Sequence, residues 1–540
     1  MKEQSVGRGF AVLSVAGIVV KILSLLYIPF LLAIIGEEGN GIYAAAYQVY
    51  VLVYVISNSG VPVAISKLVS ELRAVGNYKD AVKSFKIARF FLITLGIIMF
   101  ALMFAFAAPI SRLLHFEKSY YAILVLSPTL LFASVSSAYR GYFQGMGNMT
   151  PTAVSQIIEQ VVNTVFTLVF AALLLKYGLE AACAGGTIGT SLGALFSAIF
   201  LVVFHKKRPV NSNVQNVSGV KARRYSYKQL ARKVISYSLP ITLCIGMQYA
   251  GNLVDLWNTK TRLLAAGFTD ERATELYSYL YKYQQLLNAP LALTVALSAA
   301  ILPAISAAVA LKDRDQIQQK TKFAFKLCFL VTIPSAAGFS VLSSQIFELL
   351  KYGPGDYLME MGSVALVMLA FIQIQTSILQ GAGKLYTVTM NLIFGVAAKI
   401  VTNYFLISIP DINVKGAIAG SIAGYCVSIT LNHISIRRSL KTPIRPFMLL
   451  TKPLIASAVM GVAVYFIYKL MALCLLFVSS EYAVNFVASL ISIAAGAIVY
   501  FSVLVLIKGV SREELDIIPK RIYRYIPGTV MSRIRSTISE

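Results

Sequence analysis

The sequence predicts an all-α, polytopic membrane fold of about fourteen transmembrane helices: two parallel six-helix lobes followed by two further helices. Three observations carry this. The 540 residues are 57% hydrophobic and 13% charged, with a mean hydropathy of +0.73, whereas soluble domains carry about 25% charged residues. Apolar stretches of roughly the ~20 residues needed to cross hydrocarbon recur along the chain. The chain also repeats itself: GIVVKIL at 17–23 is echoed by GNLVDLW at 251–257, an offset of 234 that carries Tyr43 onto Tyr277 and Tyr47 onto Tyr281. FQGMG at 143–147 returns as LQGAG at 379–383, and AACAGGTIG at 181–189 returns as GAIAGSIAG at 416–424.

Taken in order, the candidate spans centre near residues 22, 53, 97, 132, 164 and 192 in the first copy. They centre near 250, 292, 333, 370, 397 and 425 in the second, and near 461 and 495 beyond the repeat. They are too long and too continuously apolar for barrel strands, so helices are expected. The first stretch lacks a small-residue cleavage site and reads as an uncleaved span. The expected organisation is an N-lobe at 1–205, a basic linker at 206–232, a C-lobe at 233–440, two added helices at 441–508 and a basic tail at 509–540. An even number of spans per copy makes the copies enter the membrane from the same side, hence parallel rather than inverted repeats. Gly185, Gly186, Gly189 and Gly193 in the sixth span, and Gly416, Gly420 and Gly424 in the twelfth, are expected to serve close helix packing.

The formal net charge of +25 follows from loops rich in Lys and Arg. Residues 206–233 hold nine basic side chains and no acid, while the adjacent loops at 36–41 and 268–275 are acidic. The bias toward positive cytoplasmic loops then puts both termini in the cytoplasm, and the clusters at 79–86, 312–322, 437–445 and 520–524 fall on the same side. The basic tail segment KRIYRYI at 520–526 has the pattern of an interfacial amphipathic stretch. Nucleic acid is not expected as a partner, because there is no soluble domain to display the charge. Five scattered cysteines and three histidines show no metal-ligand spacing.

Ionisable groups within hydrocarbon cost about 2.5–3.5 kcal/mol each on insertion scales, so their presence points to a cavity or a pathway. The spans contain six cations (Lys21, Arg140, Lys260, Arg262, Lys282 and Lys399) against Glu159 and Asp255. A surplus of positive charge favours an anionic cargo over a cationic one. Lys21 and Asp255 occupy equivalent positions in the two copies, which makes an ion pair between them one option and separate partners the other. Arg140 and Glu159 are candidates for a structural ion pair. Polar stripes at helical spacing, Gln284, Gln285 and Asn288 after Tyr281, and Gln156, Glu159 and Asn163, mark possible cavity faces, as do Tyr43, Tyr47, Tyr50 and Tyr54. No catalytic constellation or nucleotide motif is present, so an enzyme is not expected; a proton- or sodium-coupled antiporter would have to rely on Asp255 or Glu159.

GEEGNGIY at 36–43, GVPVAISKLVSE at 60–71 and YRGYFQGMGNMTPTAVSQIIEQVV at 139–162 resemble the MurJ-type lipid II flippases and stage V sporulation B proteins of Gram-positive bacteria, in the polysaccharide-transport branch of the multidrug/oligosaccharidyl-lipid/polysaccharide exporter superfamily. The resemblance covers roughly residues 5–508. It implies a bacterial cytoplasmic-membrane protein that moves an undecaprenyl-diphosphate-linked saccharide between leaflets by alternating access, acting as a monomer. It implies no cofactor, with coupling to sodium, protons or membrane potential. Lys21 matches the first of the basic positions that contact the diphosphate in such flippases. The second falls on Tyr27, and Asn163 stands where many relatives place a basic residue after EQVV. Lys260, Arg262 and Lys282 are therefore expected to complete the diphosphate site from the second lobe.

Overall fold

The computed structural model describes residues 6–207, 224–440, 444–475 and 480–509. Part of the basic linker, including Arg208, Lys221 and Arg223, and the tail with Lys520, Arg521 and Arg524 lie outside the described residues. Among the described residues all regular structure is helical: α1 (Val6–Asn58), α2 (Gly60–Ala74), α3 (Tyr78–Ala105), α4 (Ala107–Leu113), α5 (Tyr120–Gly145), α6 (Thr150–Leu174), α7 (Leu179–Lys207), α8 (Tyr227–Ala265) and α9 (Asp270–Ala310). There follow α10 (Arg314–Val341), α11 (Ser343–Leu349), α12 (Asp356–Gly362), α13 (Val364–Gly381), α14 (Leu385–Leu406), α15 (Lys415–Leu440), α16 (Pro446–Cys474) and α17 (Glu481–Leu506). Twelve helical segments among the described residues are long and apolar enough to cross a membrane. This makes the chain a multi-pass membrane protein.

Helix α1 is two helices joined at Gly36, whose φ of 68° and ψ of −175° are not helical and suit glycine. The chain doubles back there. In a straight helix Tyr27 and Tyr43 would be ~24 Å apart, yet their hydroxyls meet at 3.2 Å. At the other end of this hairpin, Asn77 caps α3 by accepting from the Asp80 amide at 3.2 Å. The Asp80 carboxylate accepts in turn from the Tyr225 amide at 2.8 Å, while Lys83 donates to the Tyr225 carbonyl at 2.9 Å. A capping box between Ser226 and Gln229 then starts α8.

Two compact units emerge from the packing: residues 1–281 with 385–420, and residues 282–384 with 421–540. Helices α8 and α14 thus group with α1 to α7.

In the first unit, small residues set the helix spacing. A Cβ at Gly189 would stand 2.3–2.5 Å from Thr167 Oγ1, Thr167 N and Asn163 O, and one at Gly193 would stand 2.5 Å from Glu159 O. The glycine stripe of α7 therefore seats α6 backbone to backbone, as the packing reading expects. In the second unit, Tyr283 donates to the Gly362 carbonyl at 2.7 Å, and Thr294 donates to Gln373 Oε1 at 2.9 Å. Tyr500 of α17 reaches the Leu330 carbonyl of α10 at 2.9 Å, tying the added helices to that unit.

Candidate functional site: charges and tyrosines within the first unit

The second half of α1 carries tyrosines at helical spacing, and they form a ladder. Ring centroids of Tyr43 and Tyr47 lie 6.0 Å apart, those of Tyr47 and Tyr50 5.7 Å, and those of Tyr50 and Tyr54 5.9 Å. Tyr27 joins one end through the Tyr43 hydroxyl. At the other end Tyr54 lies near Ser137 and within electrostatic reach of Arg140, Glu159 and Tyr249.

Arg140 of α5 and Glu159 of α6 make the ion pair that the sequence suggests, Nη2 to Oε2 at 2.6 Å. Two hydroxyls complete the guanidinium: Nε donates to Ser155 at 2.9 Å and Nη2 to Ser197 at 2.8 Å. Three helices are thereby tied at one point. The Glu159 side chain is 36% exposed against 14% for the arginine, and its charge lies within electrostatic reach of Tyr47, Tyr50 and Tyr54. Asn163, one turn further along α6, accepts from Thr167 at 3.0 Å and Thr190 at 3.2 Å.

Lys21 and Asp255 do not pair, which corrects one of the two options. The Asp255 carboxylate is buried at 1% exposure and accepts from Lys399 Nζ at 2.7 Å and from Asn403 Nδ2 at 3.1 Å. The clasp joins α8 to α14. The 236-residue shift that superposes FQGMG on LQGAG carries Asn163 onto Lys399 and Thr167 onto Asn403. The two positions that pair as Asp255 and Lys399 in the second copy are Lys21 and Asn163 in the first.

The four cations expected at a diphosphate have separate surroundings. Lys260 is buried, pairs with Asp270 at 2.9 Å, donates to Thr274 and lies 4.4 Å from the centre of the Phe116 ring. Arg262 stacks its guanidinium 4.1 Å over Tyr404. Lys282, in the second unit, is fully buried and donates to the backbone carbonyls of Tyr352 and Pro354, the latter at 3.0 Å. Depth separates them too. Lys21 lies fifteen residues, ~22 Å, from the Gly36 turn, while Lys260 lies only ~8 Å from the end of α8. Asp270, read from sequence as a loop residue, reduces the surplus of cations. Lys21 is exposed and has no ion-pair or hydrogen-bond partner among the described residues. Of the remaining polar candidates, Gln285 and Asn288 bond to one another at 3.3 Å, and Gln284 is half-buried beside them in the second unit.

Asp270, Asn403, Ser155 and Ser197 were not singled out by sequence reasoning. Asn403 carried a signal, standing one helical turn after Lys399; the two serines carried none, being ordinary small residues of apolar helices.

What the arrangement can do chemically is hold a negative charge at Lys21 and offer the half-buried phenols of Tyr47 and Tyr54, which lie ~16 and ~27 Å from the same Gly36 turn, on either side of that depth. The chain is thus an all-helical, multi-pass membrane protein with charged and phenolic side chains set among its membrane-length helices. The chain belongs to the polysaccharide biosynthesis protein family, whose model matches residues 6–309. It is 29% identical over 528 residues to stage V sporulation protein B of Bacillus subtilis (strain 168), covering 96% of this chain and 98% of that one. It is 26% identical over 484 residues to the lipid II flippase MurJ of the same organism, covering 85% and 87%. Its fold is similar to a solved lipid II flippase MurJ in an inward closed conformation, with a TM-score of 0.64 at 16% identity, covering 91% of this chain and 98% of that one.

Proposed function

We propose that the chain is a flippase for an undecaprenyl-diphosphate-linked saccharide, with the peptidoglycan precursor lipid II as the leading cargo. The observation that carries this reading is Lys21, an exposed intramembrane ammonium without a carboxylate partner among the described residues. An uncompensated cation within hydrocarbon is costly and calls for an anion; a diphosphate supplies one. Tyrosine hydroxyls and ring faces suit a saccharide, and the polyprenyl tail remains in lipid. Binding that favours one of two conformations is enough to drive alternating access.

In this reading α1 counts as two spans and α8 as one, so fourteen helices cross the bacterial cytoplasmic membrane with both termini inside. The chain acts as a monomer, the two six-helix copies are its functional lobes, and membrane potential or an ion supplies directionality. A cation-coupled drug antiporter is less well supported, because Asp255 and Glu159 are both engaged in ion pairs.

The test is lipid II exposed at the surface of bacteria depleted of their own flippase and expressing this chain. Restored exposure is expected with the parent chain and with Lys21→Arg, and its loss with Lys21→Glu at equal membrane levels. Normal activity of Lys21→Glu sinks the reading. A second cargo, another lipid-linked polymer or spore-wall precursor, is favoured by the near-complete coverage of the sporulation protein; it takes over if well-inserted protein restores no lipid II exposure.

A further inference from the structure

At the end of the helices that carries the Gly36 turn, a cleft of about 630 Å³ opens in the first unit, away from the residues assigned above. Its volume lies within the ~300–1,000 Å³ of small-molecule sites. The floor is apolar, with Val125, Leu174 and Ala184 from α5, α6 and α7. The rim is polar and aromatic, formed by Lys118, Tyr121, Tyr177 and Glu180.

Three features specify a ligand. The Glu180 carboxylate is half-buried and has no hydrogen-bond or ion-pair partner among the described residues. Tyr121 and Tyr177 are 53% and 70% exposed, so the Tyr121 ring and the Tyr177 face opposite Lys176 remain available at the rim. Lys176 already lies 4.8 Å from the Tyr177 ring centre and Lys118 is paired with Glu38, so both ammoniums are held beside the cleft with further donors free. Gly178, at φ 110° and ψ 169°, turns the chain from the last turn before it into α7 and brings Tyr177 and Glu180 to the same rim.

A carboxylate with two tyrosine rings fits an ammonium group, two neighbouring lysines fit a phosphate, and an apolar floor fits acyl chain. We infer that this cleft binds a zwitterionic, amine-bearing glycerophospholipid of the adjacent leaflet, its ammonium at Glu180, Tyr121 and Tyr177 and its phosphate at Lys118 and Lys176. An anionic lipid without an amine would meet the lysines but leave the carboxylate facing a like charge.

The experiment uses the full-length purified protein exchanged into an equimolar mixture of phosphatidylethanolamine and phosphatidylglycerol, with retained lipids counted by native mass spectrometry. Phosphatidylethanolamine should be retained about tenfold over its share, from one carboxylate contact and one cation–π contact together. The preference should fall to within about twofold in Glu180→Gln and in Tyr177→Leu. Phe90→Leu, on an exposed apolar face of α3, should leave it unchanged and controls for general lipid contact. Preferential retention of phosphatidylglycerol, or an undiminished preference in both rim variants, overturns the assignment.

Discussion

Replacing Lys399 by Met should unsettle the first unit more than any other single change to a charge, and the size of the effect follows from burial. Asp255 and Lys399 are 1% and 4% exposed, with the ammonium and carboxylate 2.7 Å apart. Removing one member leaves the other charged and out of contact with water, at a cost of about 3–5 kcal/mol. Asn403 still donates one hydrogen bond to Asp255, which places the expected loss at the lower end, about 3 kcal/mol. For cooperative unfolding of a chain this long, that is a fall in Tm of about 3 °C, larger if the first unit unfolds alone. The assay is thermal unfolding of purified protein in detergent for Lys399→Met, Asp255→Asn and the double variant. The double variant removes both charges and should be no less stable than either single variant, which corresponds to a coupling energy of about 3 kcal/mol or more. Simple additivity of the two single effects, or unchanged Tm in both single variants, would refute the claim that this pair clasps α8 to α14.

The same reasoning predicts a smaller effect at the end of α8. Asp270 is 55% exposed, so water already weakens its attraction for the buried Lys260, and the ammonium keeps its bond to Thr274 and its place by the Phe116 ring; Asp270→Asn should therefore lower Tm by about 1 °C. Close backbone approach gives the opposite extreme: Gly189→Val adds a branched side chain where a single Cβ already meets α6 at 2.3 Å. Protein yield in the membrane should drop severalfold, as helix separation costs about 1–3 kcal/mol or more.

How far the chain could be read in advance depends on the range of the interaction. Helices, membrane insertion and duplication are written in composition and in local or self-similar segments, and all were legible. Gly36 was not marked as a hairpin, because a glycine at a span end looks like any other until Tyr27 is found against Tyr43. The partner of Asp255 was open because equivalence with Lys21 describes symmetry between copies, whereas contact is decided by which helices pack. Lys399 stands 144 residues away, and nothing local points to it. Lys260 was assigned to cargo because the turn that brings Asp270 beneath it is a tertiary event. Arg140 and Glu159 could be paired in advance because they stand on helices adjacent in sequence, whereas the fate of Lys21 depended on whether α1 or α14 supplies the partner of Asp255.

The offset that maps Lys21 and Asn163 onto Asp255 and Lys399 has an architectural meaning. A doubled ancestor would have begun with identical chemistry at both places, and identical halves cannot both brace the molecule and stay available. Here one copy has turned its two positions into a closed strut, while the other has a hydroxyl-bonded amide at one and, at the other, an ammonium with no ion-pair partner among the described residues. Duplication thus left the two copies unlike, a buried ion pair bracing two helices in one while the corresponding positions of the other take separate surroundings.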